Sequence, residues 1–127
     1  MPRTIVLKGE PISTQHIYKN NGRGGRFMSP EAAALKEDYG WQARAAYRDD
    51  PIKGPVKLRV DFYFSNNRKR DLDNHNKIVL DALNHIVYED DKQIDDLRLV
   101  RHCDPSNPRV EIQVTALSVT KTPRLPS

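Results

Sequence analysis

Hydrophobic and polar positions alternate most cleanly between Val56 and Phe64. There Val56, Leu58, Val60, Phe62 and Phe64 fall on one side, with Lys57, Arg59, Asp61 and Tyr63 on the other. A period of two with one apolar face predicts a strand buried on one side. Thr4 to Lys8, short and β-branched, predicts an earlier strand, and Leu97–His102 and Arg109–Leu117 predict two later ones. The turn-forming run Asp104-Pro105-Ser106-Asn107-Pro108 separates the last two, which on that ground read as an antiparallel hairpin.

Helical periods fill the gaps. Ser29-Pro30-Glu31 is a helix start, with Ser29 as cap and Pro30 in the first helical position; the helix is expected to run to about Tyr47. Leu35, Tyr39 and Ala46 form its expected buried stripe, with Ala34, Trp41 and Ala45 beside it. Asp49-Asp50-Pro51 ends it, because a residue before proline avoids helical angles. A second helix is expected from Asp71 or Asp73. Leu72, His75, Val79, Ala82, Leu83 and Ile86 lie on one face, and Asp73, Lys77, Leu80, Asp81 and Asn84 on the adjacent one. The expected fold is α+β: a small mixed four-stranded sheet with helices packed on it, in the order β-α-β-α-β-β. One domain over residues 1–117 accounts for it, followed by a polar tail at 118–127.

Between Gly9 and Met28 the chain reads as a long polar loop. Lys19, Arg23 and Arg26 there are interleaved with glycines, as in an arm that contacts phosphates or in a mobile surface loop.

Composition narrows the picture modestly. With 21 Lys+Arg against 17 Asp+Glu in 127 residues, the net charge is +4. The placement of the charges says more: Arg68-Lys69-Arg70 forms a basic run, and the acids stand in short groups of their own. Cys103 is the single cysteine, so no internal disulfide can form. No apolar stretch approaches a membrane span or a leader, and a cytoplasmic protein with no membrane partner is the expectation.

The densest chemistry lies from Asn66 to Gln93. The basic run is followed by Asp71, Asp73 and Lys77, and the helix that carries them leads to Glu89-Asp90-Asp91. Carboxylates aimed at one point repel each other unless a hard cation sits among them, and Mg²⁺ or Mn²⁺ suits oxygen ligands. Neighbouring cations would recruit a polyanion. On spacing alone a second reading stays open, in which Asp71 or Asp73 caps the helix and Asp90-Asp91 forms a turn. An EF-hand loop fits poorly, lacking its glycine and its last glutamate, and zinc fits poorly with one cysteine and scattered histidines.

Taken together, Arg68-Lys69-Arg70-Asp71-Leu72-Asp73-Asn74, Lys77, Asp81-Ala82-Leu83 and Asp90-Asp91-Lys92-Gln93-Ile94 resemble the RusA family of Holliday-junction resolvases. These are small endodeoxyribonucleases often carried by phages and prophages. The resemblance implies a Mg²⁺-dependent, structure-selective endonuclease, with Mn²⁺ as the alternative metal. It acts as a homodimer that nicks two strands of like polarity in four-way junction DNA during recombination and repair, in a bacterial cytoplasm. It implies metal ligation by Asp71, Asp73 and Asp91, with the second of the Asp90-Asp91 pair favoured, and an active-site role for Lys77. Arg68, Lys69 and Arg70 look like DNA contacts. Two departures stand out: His75 replaces a usual apolar residue, and His85-Ile86 replaces a glycine-containing turn in a link that is also shortened. A nuclease for other branched DNA and a non-catalytic DNA-binding phage protein are the alternatives.

Overall fold

A computed structural model describes residues 3–11, 18–20, 26–28, 30–69 and 72–117. The elements are β1 (Arg3–Lys8), β2 (Tyr18–Asn20), β3 (Arg26–Met28), α1 (Pro30–Ala46), β4 (Val56–Phe64), α2 (Asp73–Leu83), β5 (Ile94–Cys103) and β6 (Arg109–Ala116). A single 3₁₀ turn, Asp91–Gln93, precedes β5. The main sheet is mixed and four-stranded in the order β1-β6-β4-β5, as the α+β pattern anticipates.

β4 occupies the interior of the sheet because it has the most apolar surface to hide. Val56, Leu58, Val60, Phe62 and Phe64 are all buried, and they share one core with Ile5 and Leu7 of β1 and Val110, Ile112 and Val114 of β6. Both helices supply the other side of that core: Tyr39 and Ala43 from α1, and Ile78, Val79, Ala82 and Leu83 from α2. Gln42 of α1 also clasps the edge strand. Its Oε1 accepts from the Lys8 backbone N–H at 2.7 Å, and its Nε2 donates to the Lys8 carbonyl at 3.3 Å.

Three expectations need correction. The last two strands do not form a hairpin. β5 pairs with β4 in parallel, Tyr63 opposite His102, whereas β6 pairs antiparallel with β4 on its other side, Tyr63 opposite Arg109. The segment between β5 and β6 therefore passes over the end of β4, where the Asp104 N–H bonds the Phe64 carbonyl at 2.8 Å. A turn-rich link shows that the chain reverses and leaves open whether a third strand lies between. The more apolar β4 takes that central place, and β5, with only scattered apolar positions, is left at the edge.

The second correction concerns α1. Its buried line is Tyr39, Ala43 and Tyr47, with Leu35 partly covered, whereas Ala34, Trp41, Ala45 and Ala46 are exposed. Alanine-rich helices carry little phase information, and the two tyrosines set the orientation. The third concerns the segment read as a polar loop, part of which is a β2–β3 hairpin with Lys19 opposite Phe27 and Asn20 opposite Arg26. Arg23, the cap residue Ser29 and the 118–127 tail lie outside the described residues, as do the side chains of Lys19 and Arg26. Among the described residues no helix is long and apolar enough to cross a membrane.

The sheet face away from the helices is polar and internally paired. Arg59 Nε and Nη2 donate to Asp61 Oδ2 and Oδ1, each at 3.1 Å, and His102 Nε2 lies 2.8 Å from Asp61 Oδ1. The Tyr63 ring is sandwiched between the His102 imidazole at 4.4 Å and the Arg109 guanidinium at 3.7 Å. Burial pushes the Asp61 carboxyl up, but the hydrogen bonds and charges of Arg59 and His102 outweigh it and leave the group below the usual carboxylate range. A depressed carboxylate stabilises the fold at neutral pH, and that contribution is lost as pH falls through the folded-state value. Asp61→Asn should therefore cost about 1.5–3 kcal/mol at pH 7. In urea titrations the gap to the native chain should narrow below about pH 4; a gap independent of pH would place the stabilisation elsewhere.

The link after α2 opens with a tight turn. His85 has φ of 68°, in the left-handed region that favours glycine, and its N–H closes the turn on the Tyr88 carbonyl at 2.7 Å. His85→Gly should raise stability by about 1 kcal/mol, read as a higher urea midpoint; a lower midpoint would mean that the imidazole itself holds the turn.

Candidate functional site

Two connections and one helix face make up the candidate site: the β4–α2 link at the C-terminal end of β4, the polar face of α2, and the acidic turn before β5, beside the N-terminal end of β4. The β4–α2 link carries Arg68 and Lys69, both exposed. It is braced from β5 by Arg101, whose Nη1 donates to the Asn67 and Arg68 carbonyls at 3.3 and 3.2 Å. The Arg68 N–H closes a local turn on Asn66 Oδ1 at 3.1 Å. Arg70 and Asp71 lie outside the described residues.

α2 begins at Asp73, and the cap position belongs to Leu72, which makes no side-chain capping bond. Asp73 is thus a first-turn residue rather than the cap, placed where the helix dipole favours a negative charge. Asp73, Lys77 and Asp81 follow at intervals of four along the helix and share one face. His75 points the other way. It is buried against the edges of Phe64 and Phe62, with ring centroids at 5.0 and 6.3 Å.

The acidic pair after α2 divides its labour. Asp90 caps the 3₁₀ turn, its Oδ1 accepting from the Lys92 N–H at 2.9 Å, and this bond holds its carboxyl below the usual range. Asp91 is half-buried and comes to the α2 face. Burial pushes its carboxyl up, a hydrogen bond and the charge of Asp90 add to that, and so does the charge of Asp81; the Lys77 ammonium acts against them. Burial, and then the charges of Asp91, Asp81 and Asp90, raise the pKa of the buried Tyr88 hydroxyl, which donates to the Leu80 carbonyl at 3.1 Å.

Of the residues singled out in the sequence, Lys77 and Asp91 are therefore brought together, with Asp73 one turn along the same face. Asp81 was read only as part of that face and the motif; its spacing four residues beyond Lys77 was the available signal. Gln93 was read only as a motif position. Its Oε1 accepts from the Glu89 and Asp90 N–H groups at 2.8 and 2.9 Å, and its Nε2 donates to the Ile52 and Gly54 carbonyls, each at 2.8 Å. It ties the acidic turn to the segment that leads into β4. Arg101 gave no sequence signal, being one charged residue in an edge strand.

Carboxylates held against one another, one of them with a raised pKa, form a donor set suited to a hard divalent cation. Among the described residues no three acidic, histidine or cysteine side chains are close enough to hold a metal by themselves.

The sequence profile of the family described as Endodeoxyribonuclease RusA matches residues 8–115. The chain is 32% identical over 108 residues to the crossover junction endodeoxyribonuclease RusA of Escherichia coli strain K12, covering 84% of this chain and 89% of the relative. Its identity to the enzyme of that name from Enterobacteria phage 82 is 31%, with the same coverage. It is also 31% identical to the uncharacterized protein YqaN of Bacillus subtilis strain 168, over 90% of this chain and 96% of the relative.

Gln93→Ala should release the acidic turn. The expected cost is about 2–3 kcal/mol by urea unfolding, with faster amide exchange at Glu89 and Asp90. Unchanged exchange there would show that the capping bond of Asp90 suffices alone.

Proposed function

The chain belongs to the RusA family of endodeoxyribonucleases, and from that premise we propose that it resolves Holliday junctions by Mg²⁺-dependent paired nicks in strands of like polarity, in DNA recombination and repair. The observation that carries the reading is the return of Asp91 to the α2 face, beside Lys77 and Asp81. Asp73 and Asp91 would hold the cation with Asp71, which precedes the helix by two residues; Mn²⁺ would serve the same donors. A divalent cation there supplies neutralisation of the charge that builds on a phosphodiester during hydrolysis.

The chain's own residues account for the rest. Lys77, exposed beside the acids, holds the scissile phosphate by charge and stabilises its developing negative charge. Arg68, Lys69 and Arg70 supply the sequence-independent attraction to the flanking phosphates, on a link that Arg101 keeps in place. Lys19 of β2 and Arg26 of β3 would extend that attraction, as would Arg23, which lies between them in the sequence. The catalytic domain takes up residues 1–117. One set of acids serves one scissile phosphate at a time, and a four-way junction has two-fold symmetry. A homodimer supplies two sites related as the two target strands are.

Cleavage of four-way junction, flap and linear duplex DNA in Mg²⁺ tests this directly. The native chain should make symmetric paired nicks in the junction. Asp73→Asn and Asp91→Asn should each abolish nicking while leaving junction binding intact or tighter, because less negative charge opposes the phosphates. Lys77→Ala should slow single-turnover cleavage far more than it weakens affinity. Near-native nicking by either aspartate variant would remove the metal assignment, and preferential cutting of the flap would move the substrate to other branched DNA.

A further inference from the structure

α1 and α2 do not close against each other along their whole length. Beside the C-terminal end of α2 they leave a groove of about 810 Å³. Gly40, Ala82 and Ile86 are among the residues that line it; a Cβ built on Gly40 would lie 4.0 Å from Ile86 Cδ1. Trp41 stands at its side with 67% of its surface exposed, the most exposed large apolar side chain among the described residues. Lys36 and Arg44 lie on either side of it along α1. A smaller hollow of about 310 Å³ continues past Arg44 and His85 to Arg48.

Three features say what fits. First, Lys36, Arg44 and Arg48 make no ion pair among the described residues, so their charge is available to a ligand. Glu37 and Asp81 are the opposing charges in the groove. Second, the groove is continuous with the candidate site: Asp81, which lines its end, is the residue whose charge acts on Asp91. Third, a single large aromatic with cations at both sides matches a base with phosphates on either side. Lys36 and Arg44 are eight residues apart, about 12 Å along the helix.

We propose that this groove is a track for single-stranded DNA, in which a base of the strand leaving the cleavage site stacks on the Trp41 indole while neighbouring phosphates meet Lys36 and Arg44. This rests on the nuclease reading above and adds a contact surface beyond the basic run at 68–70. A base freed at a branch point would be captured there, and fully paired DNA would not offer one.

Trp41 is the only tryptophan, so its fluorescence reports the groove directly. The full chain is titrated, in EDTA, with a four-way junction, a short oligothymidylate, linear duplex and heparin. The oligothymidylate and the junction should quench the emission; heparin, which has the charge and no bases, should not. Trp41→Ala should weaken junction binding about tenfold, within the range measured for one lost base stack. Trp41→Phe should recover most of it, and Lys36→Glu with Arg44→Glu should abolish the oligothymidylate signal. Trp41 is on the surface, and circular dichroism of each variant confirms the fold. Absence of quenching by either DNA overturns the proposal, and so does unchanged junction affinity in Trp41→Ala. An emission shift on raising protein concentration without DNA, with no response to DNA, would assign the groove to a second copy of the chain and overturn it too. The oligothymidylate signal does not depend on cleavage, so loss of the groove and loss of the nuclease reading are separable outcomes.

Discussion

One amide side chain keeps the acidic turn where chemistry is feasible. Gln93 makes four hydrogen bonds, two inward to the chain entering β4 and two to the backbone around Asp90. Without that closure, Asp91 would have to approach Asp81 and Asp90 against their mutual repulsion, with Lys77 as the one named counterweight. The bonds come from a neutral amide, so they hold the acidic turn in place without adding charge to the cluster. The division between Asp90, committed to its capping bond, and Asp91, turned toward α2, follows from the same turn.

The sheet positions that turn. β4 is buried along its whole apolar side, with β5 parallel on one flank and β6 antiparallel on the other. A parallel neighbour requires the chain to cross back over the sheet, and α2 is that crossover. The crossover therefore leaves β4 at the link carrying the basic run and re-enters β5 through the acidic turn. α2 packs its apolar face down, and the row Asp73, Lys77 and Asp81 borders the core beside the turn. The polar lattice on the opposite sheet face, centred on Asp61, is satisfied within itself and takes no part in this arrangement.

What the sequence made legible was what local period determines. The alternation of β4 and the two faces of α2 could be read directly, because large apolar side chains mark the phase. α1 could not be phased, since its alanines fit any face and Tyr39 and Tyr47 decide it. The pairing of β5 and β6 was misread because proximity along the chain suggested a hairpin, whereas the competition for the centre of the sheet is a non-local property. The β2–β3 pairing was missed because three-residue strands flanked by glycines leave almost no period. In the candidate site, the shared face of Asp73 and Lys77 follows from helix geometry alone. The approach of Asp91 does not; only the resemblance to a known family supplied it. The roles of Gln93 and Arg101 lay in long-range bonds that no spacing announces.

The central claim is that these acids are gathered to hold a divalent cation. Isothermal titration of Mg²⁺ and Mn²⁺ into the DNA-free chain measures it without reliance on cleavage. The account predicts saturable binding by the native chain, loss of that binding in Asp91→Asn with the fold intact by circular dichroism, and retention of it in Asp61→Asn, whose carboxylate lies on the opposite face of the sheet. Equal binding by the native chain and Asp91→Asn would contradict it.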